Sequence, residues 1–254
     1  MYLAHLNWQQ AASVLKKENT IAMIPIGSTE QHGPIGPLGT DFLIPEHLAK
    51  CIEKQTDILV VPTVPFGIAT HHIKFPGTID IGFEGLYRVI KGIVEGLSRH
   101  GVRKFIFLNG HGGNTPALDK VALEANREHG CLCAQIDWWT LAPMLNPEWK
   151  GGHGDAQEAS MMMAVDENLV HREYLMPTKV NHLSKNLINT HLNAIQFKNA
   201  TIKIIRGVEK VVNNGGYGGS PSEYANKEWG QAMEDAILRY VIDFIEEFKT
   251  VKIE

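Results

Sequence analysis

Short apolar runs alternate with stretches of helical periodicity over the first 140 residues of the chain. The runs are brief, rich in branched or aromatic residues, and end in glycine, proline or a polar turn, which is typical of buried strands. The predicted strands are Ile21–Ile26, Ile58–Val61, Lys104–Leu108 and Cys131–Ile136. The predicted helices between them are Ile44–Gln55, Phe83–His100 and Thr115–His129. This alternation predicts an α/β fold with a mostly parallel central sheet and helices on both faces.

The C-terminal part of the chain has a less regular pattern. Residues Glu223–Lys249 carry apolar side chains at helical spacing and predict a long amphipathic helix. A second apolar helical stretch is predicted around Met161–Val165. Residues 167–221 are polar and rich in asparagine, and no element is predicted there. No composition break marks a linker, so a single domain spanning residues 1–254 is expected.

Composition and charge narrow the range of partners. The 254 residues are 44% hydrophobic and 20% charged, as in ordinary soluble globular proteins. A formal net charge of -4 gives no electrostatic reason to expect nucleic acid or an anionic membrane as a partner. The three cysteines lack Cys-x-x-Cys spacing, so neither a disulfide framework nor a cysteine zinc site is indicated. Neither a signal-peptide pattern nor a membrane-length apolar run is evident, so a cytoplasmic protein is expected.

The most informative chemistry follows the first predicted strand, in Gly27-Ser28-Thr29-Glu30-Gln31-His32-Gly33-Pro34. Glu30 and His32 are two residues apart, so in extended chain both side chains face the same side. Asp41 follows after a loop stiffened by glycine and proline, which holds its geometry at little entropic cost. Mixed nitrogen and oxygen donors suit a divalent transition metal such as zinc or manganese. The segment therefore predicts a preorganised metal site at the carboxyl end of a buried strand.

A second glycine-rich segment, Asn109-Gly110-His111-Gly112-Gly113-Asn114, follows the third predicted strand. In open α/β sheets the ligand site lies beyond the carboxyl ends of the strands, so this segment and the first can meet. A phosphate-binding loop is the competing interpretation, but neither a Walker lysine nor a G-x-G-x-x-G pattern is present. We therefore favour His111 as a third metal ligand.

A third segment, Gly151-Gly152-His153-Gly154-Asp155-Ala156-Gln157-Glu158, precedes the apolar helical stretch. Glu158 falls in the first turn of that helix, where an acidic residue also suits the helix dipole. Taken together, the segment offers Glu158 as a further metal ligand and His153 as a general acid or base. Asp155 competes for either role, or caps the helix.

Two kinds of side chain are candidates for contact with a substrate. His72 precedes Lys74-Phe75-Pro76-Gly77-Thr78, a predicted pocket-lining loop, although a surface histidine fits this position nearly as well. Three tryptophans, Trp138, Trp139 and Trp149, could wall a pocket for a flat substrate, although core packing suits Trp138 and Trp139 equally well. The pattern of residues leaves both pairs of alternatives open.

At these motifs the chain resembles the creatininase (creatinine amidohydrolase) family. The anchors are the segments 27–34, 37–41, 75–78, 109–114 and 153–158. The resemblance implies a three-layer α/β/α sandwich, commonly assembled as a homohexamer, that holds two divalent metal ions. One ion would be held by Glu30, Asp41 and His111. The other would be held by His32, Asp41 and Glu158, so that Asp41 bridges the two.

Two positions depart from creatininases proper. Their Tyr-Glu pair after the third-strand histidine corresponds to Gly112 and Gly113 here, and that glutamate is an extra metal ligand. A second family glutamate, just before the histidine matching His153, corresponds to Gly152. The Gly-Gly form is more similar to other branches of the family: formamidopyrimidine deformylase, the mycofactocin maturation peptidase and ring-opening hydrolases of keto-inositols. Creatinine is therefore not the expected substrate.

The resemblance also indicates which residues would contact that substrate. Trp149 aligns with a tryptophan that covers creatinine in creatininases proper. The glycines beside His111 would let a substrate approach the backbone closely. The expected substrate contacts are His72, Trp149, Gly112 and Gly113.

The predicted function is a binuclear amidohydrolase that cleaves a small cyclic or formyl amide by attack of a metal-bridging water. Zn²⁺ or Mn²⁺ is expected, with Fe²⁺ as an alternative. His153 and Glu158 are the catalytic candidates, and His153 would pass a proton to the leaving nitrogen. One alternative is metal-dependent ring opening of a cyclic ketone or keto-inositol. Another is a noncatalytic small-molecule-binding module with Gly215–Ser220 as its ligand loop.

Overall fold

The computed structural model describes residues 1–218 and 221–253. Its central sheet has four parallel strands in the order β2-β1-β3-β4. These strands are β1 (Ile21–Ile26), β2 (Leu59–Val60), β3 (Lys104–Asn109) and β4 (Leu132–Asp137). All four predicted strands are confirmed, β1 at its predicted bounds and the others to within one residue at each end.

Burial explains why the two central strands read as continuous apolar runs. Every residue of β1 and β3 is buried, since helices cover both faces of the sheet. The two strands pair in register from Ile21 with Lys104 to Ile26 with Asn109. The segments that follow them therefore leave the sheet side by side at its carboxyl edge.

Helices pack against both faces of this sheet. They are α1 (Trp8–Leu15), α2 (Thr40–Glu53), α3 (Gly82–Ser98), α4 (Thr115–His129), α5 (Trp138–Leu145), α6 (Ala156–Asp166) and α7 (Lys227–Thr250). One core cluster joins the sheet to α2, α5, α6 and α7, and the other joins it to α1, α3 and α4. The three-layer α/β/α arrangement is therefore confirmed.

Helix ends follow local signals where these are strong. α4 keeps its predicted bounds because Pro116 lies in its first turn and Gly130 ends it in the left-handed conformation, with φ 63°. α2 begins at Thr40, four residues before the predicted start. Asp41 therefore lies in the first turn of a helix, directly after the loop that contains glycine and proline. The loop residues Pro37 and Gly39 accept the first hydrogen bonds of this turn.

α7, the longest helix at 24 residues, packs closely against the buried helix α6. At the crossing, Gly230 of α7 lies against the carbonyl group of Ser160, and a β-carbon at position 230 would collide with it. The Asn226 side chain accepts a hydrogen bond from Trp229 N at 2.8 Å and so caps α7, which begins four residues after the predicted start.

No helix in residues 1–218 or 221–253 has the length and apolar content needed to cross a bilayer.

A second sheet lies in the region for which no element was predicted. Its antiparallel strands are β5 (Ile188–His191), β6 (Ala194–Phe197) and β7 (Ala200–Lys203). Each strand has four residues, and most of their side chains are exposed. Strands so short and so little buried leave almost no alternating apolar pattern in the sequence.

Candidate metal centre

All five predicted metal ligands meet beyond the carboxyl ends of β1 and β3. Glu30 and His32 follow β1, and His111 follows β3. Asp41 and Glu158 come from the first turns of α2 and α6. Each of the five residues is at most 5% exposed. The structure thus gathers carboxylates and imidazoles from four elements into one buried cluster.

The first group of donors comprises Glu30, Asp41 and His111, whose ligand atoms lie within 4.8 Å of one another. His111 Nδ1 is 3.1 Å from Glu30 Oε1 and 3.0 Å from Asp41 Oδ2. The other ring nitrogen, Nε2, donates to the Ile68 carbonyl oxygen at 2.9 Å. Because a carbonyl oxygen only accepts, Nε2 bears a proton and Nδ1 is the atom presented to the two carboxylates.

The second group is built around His32. Its Nε2 lies 2.8 Å from Asp41 Oδ1 and 3.7 Å from Glu158 Oε2. Its Nδ1 donates to the Glu30 carbonyl oxygen at 3.0 Å, so Nε2 is the atom that faces the carboxylates. Glu158 Oε2 also accepts a hydrogen bond from Gly154 N at 2.6 Å. The two oxygens of Asp41 therefore face different imidazoles, as a carboxylate shared between two ions would.

Hydrogen bonding gives an independent test of whether these residues suit a metal. Among the described residues, neither oxygen of Glu30 nor Asp41 Oδ2 accepts a hydrogen bond, although all three are buried. A buried carboxylate without hydrogen bonds is costly, by several kcal/mol per ion as an order of magnitude. The nearby imidazoles each direct an anchored ring nitrogen at these oxygens. This donor set fits a divalent cation of the zinc or manganese type.

Without a bound ion, protons on the imidazoles and on Glu158 offset part of the buried negative charge. Burial opposes a charged imidazole, but Asp41 and Glu158 outweigh it and raise the pKa of His32 to about 10. Burial would raise the pKa of Asp41, but His32 and His111 hold it well below its ordinary value. Burial raises the pKa of Glu158 to about 8 despite the nearby His32. The charged His32 ring therefore lies beside the ionised Asp41, whereas Glu158 is largely protonated at pH 7.

Gln31, which was not singled out in the sequence, links two further histidines to this cluster. Its Nε2 lies 2.7 Å from His72 Nδ1 and 3.2 Å from the Gly215 carbonyl oxygen, and its Oε1 accepts from Gly33 N. His153 Nε2 lies 2.9 Å from both the Gln31 carbonyl oxygen and Gln31 Nε2. If His72 and Gly215 take the two amide hydrogens, His153 Nε2 donates to the carbonyl oxygen. This assignment satisfies every partner and leaves His153 Nδ1 unprotonated.

The free ring nitrogen of His153 faces the cluster. His153 Nδ1 lies 3.9 Å from Glu30 Oε1, and the ring centroids of His153 and His32 are 4.5 Å apart. Burial, with the charge on His32, lowers the pKa of His153 well below its ordinary value. His153 can also form a group of metal-binding atoms with His32 and Glu158. It is therefore a neutral imidazole placed directly beside the predicted ligands.

His72 is buried rather than on the surface, at 1% exposure, so the surface alternative is wrong. Its Nε2 lies 3.2 Å from Glu30 Oε1, on the side of Glu30 that His111 also approaches. Burial lowers the pKa of His72 far below its ordinary value. With His72 neutral and Nδ1 accepting from Gln31, Nε2 carries the proton on the Glu30 side, but the contact does not have hydrogen-bond geometry.

The tryptophans divide between core and site. Trp138 is fully buried in the core beside α7, as the packing alternative predicted. Trp139 packs against the same core, and its ring is the nearest neighbour of a β-carbon built at the exposed Gly112, at 3.6 Å. Trp149 is half-buried in the 3-10 turn Pro147–Trp149, where its carbonyl oxygen accepts from Gln157 Nε2 at 2.7 Å.

Two glycines in the site leave no room for a side chain. A β-carbon at Gly113 would collide with the Ile68 carbonyl oxygen and the His111 ring. A β-carbon at Gly152 would collide with the backbone of Tyr217 and Gly218. The second approach follows from backbone pairing, since His153 and Tyr217 exchange N–H···O bonds of 2.8 and 2.7 Å. Glutamates at these two positions would require a different backbone.

Two remaining expectations have clear structural positions. Asp155 caps α6, because its Oδ1 accepts a hydrogen bond from Gln157 N at 3.0 Å. The alternative ligand loop Gly215–Ser220 is described only as far as Gly218, and Gly219 and Ser220 lie outside the described residues. Gly215 lies against the Gln31 side chain, so the described part of this segment packs onto the candidate centre.

Comparison with protein-family models matches residues 4–245 to the creatininase family, described as creatinine amidohydrolase. The match spans nearly the whole chain, and the chain belongs to this family. The predicted resemblance is therefore confirmed.

Three curated relatives illustrate the range of proteins that the chain is similar to. Creatinine amidohydrolase of Pseudomonas putida is 26% identical over 191 residues, which cover 67% of this chain and 74% of that protein. The 3-dehydro-scyllo-inosose hydrolase of Thermotoga maritima is 26% identical over 274 aligned positions, covering 100% of this chain and 86% of that protein. The mycofactocin precursor peptide peptidase of Mycolicibacterium smegmatis is 38% identical over 104 residues, covering 39% of this chain and 42% of that protein.

Solved structures show the same fold. A creatinine amidohydrolase (creatininase) crystal structure matches with a TM-score of 0.80 at 21% identity, covering 99% of this chain and 98% of that chain. A creatininase structure designated Mn matches with a TM-score of 0.78 at 21% identity, covering 98% and 99%. A mutant creatininase of Zn-Zn type matches with a TM-score of 0.78 at 20% identity, covering 98% of both chains.

Proposed function

We propose that this member of the creatininase family is a divalent-metal-dependent hydrolase that cleaves a carbon–nitrogen bond in a small amide. The principal support is the buried carboxylate of Glu30, which accepts no hydrogen bond among the described residues. Glu30 and Asp41 both face the same ring nitrogen, His111 Nδ1, at 3.1 and 3.0 Å. Such a cluster is costly without a cation and well suited to one.

Two ions, of zinc or manganese with iron as an alternative, fit the ligand atoms. Glu30, Asp41 and His111 would hold one, and His32, Asp41 and Glu158 the other. The distances from Asp41 Oδ1 to His32 and from Asp41 Oδ2 to His111 support a bridging role for Asp41. When bound, such ions act as Lewis acids on a carbonyl group and make water a nucleophile near neutral pH.

His153 is the residue that we propose moves the proton. Its Nε2 is anchored by the Gln31 carbonyl oxygen, and its Nδ1 is unprotonated and directed towards the cluster. A neutral imidazole in this position can accept a proton from the attacking water and deliver it to the leaving nitrogen. Glu158 is the second catalytic candidate, since it faces His32 and has a raised pKa in the metal-free protein.

The substrate that we propose is a cyclic or formyl amide other than creatinine. Gly113 and Gly152 replace two glutamates of creatininases proper, and the backbone around both positions has no space for a side chain. The exposed Gly112 leaves open the approach to the backbone next to His111. We propose that a flat substrate would lie there against Gly112, and that the half-buried Trp149 and His72, which lies beside Glu30, are its further contacts.

One relative favours a second candidate reaction. The 3-dehydro-scyllo-inosose hydrolase aligns with the entire chain, whereas the creatinine amidohydrolase aligns with 67% of it. The same metal centre would then open the ring of a cyclic ketone at a carbon–carbon bond. In that case the proton carried by His153 would go to carbon rather than to nitrogen.

A substrate panel separates these reactions. Protein loaded with zinc or manganese would be assayed on creatinine, formyl amides, cyclic amides and keto-inositols, with Asp41→Ala as the metal-deficient control. Amide hydrolysis that is lost in Asp41→Ala supports the proposal, and turnover restricted to keto-inositols supports the second candidate. Creatinine turnover in the ordinary enzyme range of roughly 1–10³ s⁻¹ would contradict our interpretation of Gly113 and Gly152. Purified protein without metal or hydrolase activity would favour a noncatalytic binding module.

We also expect a homo-oligomer, and a hexamer by resemblance to the family. Apolar side chains on the antiparallel sheet support this expectation, because Ile188, Phe197 and Ile202 are each 40–44% exposed. Light scattering coupled to size-exclusion chromatography would give the mass of the assembly.

A further inference from the structure

A second cluster of metal-binding side chains lies between α2 and α7. His47 and Cys51 are one turn apart on the same face of α2, and Glu234 projects from α7. His47 Nε2 is 2.7 Å from Glu234 Oε1, and Cys51 Sγ is 3.7 Å from His47 Nε2 and 3.9 Å from the same glutamate oxygen. None of these residues belongs to the candidate hydrolase centre.

These separations suit a four-ligand metal site. Bonds of about 2.0–2.3 Å in a tetrahedral zinc site place neighbouring ligand atoms roughly 3.3–3.6 Å apart. Both sulfur distances are already close to that value. Only the hydrogen bond between His47 and Glu234 would have to lengthen, by roughly 0.6 Å, and side-chain rotation supplies such a change without moving either helix.

The three residues are partly accessible to an ion. The side chains of His47 and Glu234 are 28% and 16% exposed, and Cys51 is half-buried. An ion can therefore enter without separating the helices, and a solvent water can complete the set of ligands. Burial, with the charge on Glu234, raises the pKa of the Cys51 thiol, so the metal-free cluster is held by hydrogen bonds. Coordination to a metal deprotonates such a thiol.

We propose that His47, Cys51 and Glu234 form a second, separate site for a divalent transition metal of the zinc type, which ties α2 to α7. Sulfur, nitrogen and oxygen donors together favour zinc over magnesium or calcium. On binding, the Cys51 thiol loses its proton to solvent. The proton that His47 Nε2 donates to Glu234 leaves to solvent or moves to Nδ1, so that Nε2 becomes the ligand. Because α2 begins with Thr40 and Asp41, an ion here would also restrain the helix that supplies the bridging carboxylate.

Sequence spacing does not indicate this site. His47 and Cys51 form only a four-residue pair within a helix, and Glu234 lies 183 residues beyond Cys51. The absence of Cys-x-x-Cys spacing led to the expectation that no cysteine zinc site is present. The packing of α7 on α2 supplies the third ligand.

Cobalt(II) absorption tests the proposal, because a thiolate bound to Co²⁺ gives an intense near-ultraviolet band that nitrogen and oxygen ligands do not. The hydrolase centre contains no cysteine among its described ligands, so the band would report Cys51 alone. Chelator-treated full-length protein titrated with Co²⁺ should show the band, and Cys51→Ser should lose it. Glu234→Gln and His47→Ala should weaken Co²⁺ binding at this site at least about tenfold. Elemental analysis should find one zinc ion fewer in Cys51→Ser than in the unaltered protein.

Two controls make the result specific. Cys133→Ser removes a thiol that lies in no metal-binding group among the described residues, and it should keep the band. Asp41→Ala should keep the band while losing ions at the hydrolase centre, which shows that the two sites are independent. The proposal is overturned if the unaltered protein gives no thiolate band or if Cys51→Ser retains it. It is equally overturned if Glu234→Gln and His47→Ala bind Co²⁺ as tightly as the unaltered protein.

Discussion

His32 Nε2 lies 2.8 Å from Asp41 Oδ1, and both side chains are almost completely excluded from solvent. The remaining oxygen of Asp41 lies 3.0 Å from His111 Nδ1. Asp41 thus lies between two imidazoles, that of His32, which follows β1, and that of His111, which follows β3. Because α2 begins at Thr40, the backbone of this carboxylate is held in the first turn of a helix rather than in a mobile loop.

Removing Asp41 should therefore empty both proposed metal positions. We expect Asp41→Ala to purify with neither ion, whereas Glu30→Ala and His32→Ala should each lose mainly one. The reason is that Asp41 supplies an oxygen to each donor group, while Glu30 and His32 each belong to one. Elemental analysis of the three variants measures this directly. Two ions per chain at the hydrolase centre in Asp41→Ala would exclude the bridging role.

His153 should behave as a proton carrier rather than as a ligand. We expect His153→Ala to keep the metal content of the unaltered protein and to lose about 10²–10⁴-fold in rate, the usual contribution of general acid–base catalysis. His32→Ala should lose metal and activity together. Parallel metal analysis and kinetics on the substrate found by the panel would distinguish the two roles. If His153→Ala purifies with one ion fewer, its Nδ1 is a ligand and another residue transfers the proton.

Metal binding should release protons and strengthen with rising pH. In the metal-free protein the pKa of His32 is raised to about 10, against an ordinary value of about 6.5. The stabilisation from the charged imidazole is therefore complete below about pH 6.5 and is lost as the pH rises through about 10. An ion needs the unprotonated ring, so between these limits it displaces the proton.

A weakly buffered titration of the chelator-treated protein would measure this release at about pH 8. His32→Ala should release at least one proton fewer than the unaltered protein, whereas the surface variant His100→Ala should match it. Equal release from His32→Ala and the unaltered protein would show that His32 is already neutral before the metal binds.

Gly113 and Gly112 form a matched pair for testing the geometry of the site. A β-carbon at 113 collides with the His111 ring, whereas one at 112 meets only Trp139 at an ordinary 3.6 Å. We expect Gly113→Ala to displace His111 and weaken metal binding at the Glu30, Asp41 and His111 group at least about tenfold. Gly112→Ala should keep metal affinity near that of the unaltered protein. Isothermal titration with zinc measures both, and equal affinities would contradict the expected displacement of His111.

Gly230 should limit the stability of the α6–α7 contact. Gly230→Ala places a methyl group against the Ser160 carbonyl group, and we expect a loss of about 1–3 kcal/mol in the free energy of unfolding. The control is Gly92→Ala in α3, where a β-carbon has no neighbour within 4 Å. That substitution should stabilise the protein by about 0.5–1 kcal/mol, because alanine loses less backbone entropy than glycine in a helix. Urea denaturation of both variants gives the values, and a neutral Gly230→Ala would show that the helices separate easily.

Local sequence patterns were sufficient to predict the sheet and the position of the candidate metal centre. The strands β1 and β3 are buried on both faces, so each appears as an uninterrupted apolar run that ends where the polar segment begins. Because the carboxyl ends of parallel strands share one edge, the order of the elements alone predicts that Glu30, His32 and His111 lie together. The helix α4 was predicted at its bounds because proline and glycine mark its two ends.

Other features depend on contacts between residues that are distant in sequence. Only the tertiary structure determines those contacts. Gln31 joins His72 to His153 across 41 and 122 residues, and an isolated glutamine carries no local signal of such a role. The close approach of Gly152 to Gly218 likewise exists because His153 pairs with Tyr217. The exposed strands β5–β7 bury too little apolar surface to leave a periodic pattern. Sequence periodicity records which side chains are buried along one element, whereas the partners of a polar side chain are set by how the elements pack.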